Sequence, residues 1–255
     1  MARRCRLVGW TPSVVAHESE REGWLERLND LVAQEETRLR NGRTTAIKAA
    51  TDEAFKSGPH SMVELDADKL LKLVPAPLQK AARELNTSRG GVLALGPTGV
   101  GKSAAMVFIG RRLITEAYDR LLGESLQRGE RFWGMNVRGI FGWARAVDLA
   151  TARRRHSLGS EAPELEAAKA PATLVLDDLG WEVRGDTAVA EVIAERYDRG
   201  LQTLVTSGLP WSSRQKDVPC LVERYGEALL RRVLESGGVK GRVVDLFPKT
   251  EAPCG

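Results

Sequence analysis

The stretch Gly96-Pro97-Thr98-Gly99-Val100-Gly101-Lys102-Ser103 constrains this chain more than any other. It follows a short apolar run, residues 91 to 95, and opens an amphipathic stretch from Lys102 to Leu122. There Ala105, Phe108, Ile109, Leu113 and Ala117 recur at helical spacing. A glycine, four residues and then Gly-Lys-Ser is the spacing at which successive backbone N–H groups turn toward phosphate oxygens, with the positive end of the next helix beneath them. The lysine reaches the β and γ phosphates, and the serine hydroxyl holds Mg²⁺. The expected nucleotide site therefore comprises Gly96, Pro97, Thr98, Gly99, Val100, Gly101, Lys102, Ser103 and Ala104, set between a strand and a helix.

Two further apolar runs, 173 to 178 and 201 to 207, read as buried strands. Between them Ala188, Val192, Ile193 and Tyr197 mark a helix that stops at Gly200. Strands alternating with helices predict a parallel sheet covered on both faces, an α/β fold. Asp177 and Asp178 close the first of these runs, at the carboxyl edge where ligands bind in open α/β sheets. One carboxylate there, Asp177, suits the metal through water. The other, Asp178, suits orienting or deprotonating an attacking water.

Residues 1–60 read as a separate helical segment and 61–255 as the nucleotide-binding domain, with the Gly, Pro and Ser of 57 to 62 as the linker. Ser19 and Glu22 form a capping-box pattern. Trp24, Leu25, Leu28, Leu31 and Val32 then follow at helical spacing, and Asn41-Gly42 is the expected stop. This apolar stripe suits a groove on a partner protein, and it equally suits packing on the main domain. The 38 Lys and Arg against 34 Asp and Glu give a net charge of +4, which permits a nucleic-acid partner without requiring one. There is no apolar run of export or membrane-spanning length, and Cys5, Cys220 and Cys254 fit neither a disulfide framework nor a metal pair. A cytoplasmic protein without a membrane partner is expected.

The order GPTGVGKS, WARAVDLATARRRHS, LVLDDLG, IAERYDRGLQTLVTSGLP and ERYGEALLRRVLESG resembles AAA+ ATPases of the DnaC/IstB type, which comprise helicase loaders and the ATPase subunits of certain transposition systems. The resemblance covers roughly residues 75 to 247. It implies a five-stranded AAA+ core without a C-terminal helical lid, ATP as the nucleotide, and homo-oligomers whose ATP sites lie between subunits. It places an arginine finger at Arg231 or Arg232, of which we favour Arg232. A solvated pair on a helix whose Leu229, Leu230, Val233 and Leu234 face inward is the plainer reading. It also places a channel-lining helix at Arg153, Arg154 and Arg155, where three cations suit single-stranded DNA phosphates. A solvated face paired with Glu161, Glu164 and Glu166 would show the same pattern.

Where the family carries Asn to sense the γ phosphate, this chain has Gly208, which leaves the hydroxyls of Thr206 and Ser207 as sensor candidates and implies slow hydrolysis. The resemblance thus implies an ATPase that loads or regulates a replicative helicase, with an IstB-like transposase helper as the alternative. A nucleotide-gated assembly protein with little turnover is a third reading. A small-molecule phosphotransferase would need a substrate pocket signature that the sequence does not show.

Overall fold

The computed structural model describes residues 18–85, 90–128, 139–156, 160, 162–213, 218–236 and 240–248. Cys5, Cys254 and Glu161 lie outside them, as do the side chains of Ser19 and Glu22. Internal contacts divide the chain between Thr45 and Ala46. Up to Thr45 the described residues belong to one helix, α1 (Glu18–Ala54), on which Trp24, Leu25, Leu28, Leu31, Val32 and Leu39 are all exposed. Gly42 does not end α1. A single glycine costs a helix interior only about 1 kcal/mol, too little by itself to stop a helix of this length.

From Ala46 onward, Val92–Leu95 (β1), Phe141–Arg145 (β2), Thr173–Leu179 (β3), Gln202–Ser207 (β4) and Arg242–Asp245 (β5) form one parallel sheet in the order β2-β3-β4-β1-β5. The five parallel strands meet the α/β expectation. β1 sits between β4 and β5 and is buried on both faces, which is why it reads as an unbroken apolar run. Its side chains alternate. Val92 and Ala94 join a cluster with Val175, Leu204 and the helix α5 (Lys102–Arg128), while Leu93 and Leu95 join a second cluster with Leu174, Leu176 and Val205 on the other face.

The first face also carries α2 (His60–Val63), α3 (Ala67–Leu73) and α4 (Ala76–Glu84), together with Phe55 from the end of α1. Phe55 lies 5.1 Å from the Phe141 ring and 5.6 Å from the Trp143 ring, so the chain is already in the core before residues 57 to 62 are reached. Asp66 caps α3 by accepting from the Lys69 amide at 2.8 Å. The second face carries α6 (Ala146–Arg155), α7 (Pro163–Lys169), α8 (Ala188–Asp198) and α9 (Leu221–Leu234). No helix among the described residues is long and apolar enough to cross a membrane.

Arg196, on α8, is fully buried and ties the amino ends of β3 and β4 together. Its guanidinium donates to the carbonyls of Pro171 at 2.7 Å and Ala168 and Lys169 at 3.2 Å, and also to Gln202 O, and its Nε donates to Thr203 Oγ1 at 3.1 Å. Burial pushes its pKa down to about 9, yet each of these oxygens offsets part of that cost. Replacing Arg196 with alanine strands several buried carbonyls. We expect a loss of about 3 kcal/mol, read as a lower urea midpoint with an unchanged m-value.

Candidate functional site

β1 ends at Leu95, and the loop that follows reaches α5 at Lys102. Pro97, Thr98 and Gly99 are exposed, so the loop's crest is open to a ligand, while Lys102 and Ala104 are buried. Gly101 has φ of +90°, and a Cβ there would lie 2.0 Å from Leu73 O. Glycine is needed on both counts, and the contact shows that the end of α3 backs the phosphate loop. The Lys102 ammonium donates to Gly96 O at 2.7 Å and Pro97 O at 2.8 Å, which holds the loop curled over its own lysine. Burial lowers its pKa below the ordinary lysine value, and the charges of Asp178 and Asp177 partly restore it.

Asp177 gathers the strand ends. Ser103 Oγ donates to its Oδ1 at 3.1 Å, and Thr206 Oγ1 donates to the same oxygen at 2.5 Å. Thr206 Oγ1 in turn accepts from the Asp178 amide at 3.0 Å. Burial raises the pKa of Asp177 above the ordinary carboxylate value. The Thr206 hydroxyl opposes that rise, the neighbouring charge of Asp178 adds to it, and Ser103 and Arg145 again lower it. A hydroxyl and a carboxylate oxygen converging this closely are the hard oxygen donors that suit Mg²⁺.

Asp178 is half-buried with φ of +57°, the one non-glycine residue with positive φ among those described. That backbone costs about 1 kcal/mol or more and departs from the extended conformation of the strand. It is held on four sides. Besides the Thr206 bond, Trp181 N donates to Asp178 O at 3.3 Å, Ser207 Oγ donates to Leu179 O at 2.6 Å, and Gly180 N donates to Glu182 Oε2 at 3.0 Å. Ser207 Oγ also accepts from the Leu209 amide at 3.0 Å, so both sensor-candidate hydroxyls are engaged within the strand ends. Gly208 sits beside the phosphate loop, since Gly96 N donates to Ser207 O at 3.1 Å. A Cβ on Gly208 would lie 3.3 Å from Trp181 Nε1, so an indole stands where a longer side chain would project.

Arg231 and Arg232 are both exposed near the end of α9. Arg231 pairs with Glu227 at 3.4 Å, while the Arg232 guanidinium lies 5.7 Å over the Tyr197 ring. The basic cluster is split. Arg153 donates to Glu191 on α8, Arg154 Nε donates to Ala150 O at 3.2 Å, and Arg154 and Arg155 are exposed. The acidic partner of Arg153 is thus Glu191, whereas Glu166 pairs with Lys169 at 2.8 Å and Glu164 stands 4.0 Å from His156. The structure brings Ser103, Asp177 and Thr206 into direct contact, with Lys102 and Asp178 beside them, and leaves Arg153, Arg154, Arg155 and Arg232 on other surfaces. Sequence reasoning missed Leu73 behind the loop, Trp181 over Gly208, and the Glu182 contact, none of which carries a local motif.

The sequence matches no protein-family model and no curated protein. Among solved structures the chain is similar to the DnaC helicase loader, at 23% identity over 68% of this chain and 86% of that one, with a TM-score of 0.44. It is similar also to DnaI, at 18% identity over 73% of this chain and 93% of that one, with a TM-score of 0.43. A third is AMPPCP-bound DnaA from Aquifex aeolicus, at 18% identity and a TM-score of 0.39, over 66% of this chain and 44% of that one.

Thr206→Val keeps the shape of the side chain and deletes both hydrogen bonds. Asp177 loses an interaction that favours its charged form, so its folded pKa rises further above the ordinary carboxylate value. The destabilisation, about 1 to 2 kcal/mol at pH 7, should shrink as pH falls through that raised folded value, because the protonated acid no longer needs the donor. Urea titrations of both proteins between pH 7 and pH 4 measure it.

Proposed function

We propose that this protein is an ATP-hydrolysing switch that loads or regulates a replicative helicase on single-stranded DNA. The observation that carries the nucleotide part is the convergence of Ser103 and Thr206 on Asp177 beside the curled loop of Lys102. The sequence resemblance to helicase loaders supplies the DNA-linked part. Gly96 to Ala104 would wrap the phosphates, with Lys102 exchanging the carbonyls of Gly96 and Pro97 for phosphate oxygens. Ser103 and Asp177 would hold Mg²⁺, which would supply positive charge against the phosphates when bound. Asp178, whose backbone departs from the extended strand, would orient the attacking water and accept its proton.

Of the pair, Arg231 is engaged by Glu227 while Arg232 rests on the Tyr197 ring, and Arg232 is the finger we assign to a neighbouring copy's site. Residues 1–60 serve as the partner-binding segment in this reading. The exposed Trp24, Leu28 and Leu31 offer an apolar stripe for the helicase. Arg154 and Arg155 are exposed and would meet DNA phosphates, with Arg153 held by Glu191.

Lys102→Ala should abolish ATP binding, whereas Asp178→Asn should bind ATP normally and lose turnover by about 100-fold or more, the scale of a positioned base. Equilibrium binding of a fluorescent ATP analogue and phosphate release, each with and without single-stranded DNA, test both. Wild-type turnover by Asp178→Asn would remove that residue from its role.

A finger acting between copies gives a second expectation. Mixing Arg232→Ala with Lys102→Ala protein should restore part of the lost phosphate release, because a mixed pair forms one site with an intact loop and an intact finger. No recovery at any ratio, in proteins shown to co-assemble, would count against a shared site.

A further inference from the structure

The loop after β3 carries a buried acid that the nucleotide chemistry does not use. Glu182 is 4% exposed, on a segment where its neighbours Trp181 and Val183 are 65% and 57% exposed. Its two carboxylate oxygens are spent differently. Oε2 accepts from the Gly180 amide at 3.0 Å, two residues beyond Asp178, and Oε1 accepts from Arg224 Nε at 3.3 Å. Arg224 also donates through Nη2 to the backbone carbonyl of Glu182, so one guanidinium grips both ends of the same residue. A buried ion pair is a poor source of stability, since the desolvation of both charges consumes most of their attraction. A pair kept in such a place fixes geometry.

We propose that Glu182 and Arg224 form a strut that sets the backbone of Asp178 and so ties the water-facing carboxylate to α9. The path is short and continuous. Asp178 has φ of +57° and Gly180 has φ of +104°, so the turn between them has little intrinsic preference for its observed shape and needs to be held from outside. Glu182 holds it through Gly180 N, and Arg224 holds Glu182. Arg224 stands two residues before Gly226, whose φ of +76° and ψ of +150° break α9 into two helical pieces. The later piece carries Arg231 and Arg232. Arg224 and Glu182 are therefore positioning residues, and the loop of Asp178 is joined to the first piece of α9, ahead of the break at Gly226.

The inference rests on the ATPase reading only for its kinetic consequence. Arg224→Ala should lower kcat by about 10- to 100-fold, the cost of displacing a reacting group by about 1 Å, with affinity for a fluorescent ATP analogue within about 2-fold of wild type. Arg224→Lys keeps the charge without the fork and should recover only part of the loss. Glu182→Gln keeps an acceptor for Gly180 N and should fall between wild type and Arg224→Ala, which also serves if the alanine variant folds poorly. Hydrogen exchange of amides 178 to 183 in the full chain reads the strut directly, and should speed up by about 10-fold or more in Arg224→Ala while α5 and β1 amides keep their protection. Unchanged exchange there would overturn the strut. Faster exchange with wild-type kcat would overturn its catalytic role. Absence of turnover in the wild type would instead sink the ATPase reading, with the exchange result still deciding the strut.

Discussion

The carboxylate of Asp177 is the group on which the rest of the site is arranged. One of its oxygens receives hydroxyls from Ser103, at the start of α5, and from Thr206, at the end of β4, so a single atom connects the segments following β1, β3 and β4. Burial makes its charged form costly, and the two hydroxyl donors reduce that cost. Because Thr206 passes the connection on to the Asp178 amide, the same oxygen also fixes where the second carboxylate stands. Residues far apart in sequence are thereby placed to within hydrogen-bond tolerance. The sheet supplies the framework for this, since the β3–β4 and β1–β4 pairings bring all three strand ends to one edge.

The strands that build this edge were legible because they are buried on both faces. A strand of that kind is short and carries an apolar stretch, as in Gly91 to Leu95, Leu174 to Leu176 and Leu204-Val205, here flanked by Thr, Gln, Ser or Asp residues whose polar groups are bonded near the strand ends. Observed strands Val92–Leu95, Thr173–Leu179 and Gln202–Ser207 differ by a residue at most from the expected 91 to 95, 173 to 178 and 201 to 207. The placement of Lys102 and Ser103 at a helix start and of Asp177 near a strand end was legible for a related reason, because a Gly-rich loop between strand and helix and an acid-terminated strand are local patterns.

What the sequence hid was held by distance or by backbone shape. Nothing near Glu182 marks it as buried, because its partner Arg224 is on another helix and both look like ordinary surface charges. The turn at Asp178 depends on a left-handed backbone that an Asp-Asp-Leu-Gly run permits without announcing. Gly42 misled in the opposite direction. Its glycine and the preceding Asn suggest a stop, but a helix ends only when its next residues have better partners elsewhere, and here α1 continues to bury Ala50 and leads into the buried Phe55 just beyond its end. The basic run at Arg153 to Arg155 is a third kind of case. Charge density is visible in sequence, whereas the ion pair that engages Arg153 is formed with Glu191, which only the packing of α6 against α8 brings near.

The bonds made by Lys102 set what the loop would gain from an anionic ligand. Burial of its ammonium depresses its pKa, and two neutral carbonyls of its own loop, with the nearby charges of Asp178 and Asp177, offset part of that cost. A ligand that offered only neutral acceptors would replace like with like and gain little. A phosphate oxygen replaces a neutral acceptor with an anionic one, and charge-assisted hydrogen bonds are roughly twice as strong as neutral ones. The exchange also frees Gly96 O and Pro97 O, whose loop is exposed enough for water to take them. For a phosphate ligand, binding energy at this loop would therefore come chiefly from the ligand's charge, concentrated on one buried lysine. That physical bias toward polyanions precedes any contact with a base or sugar.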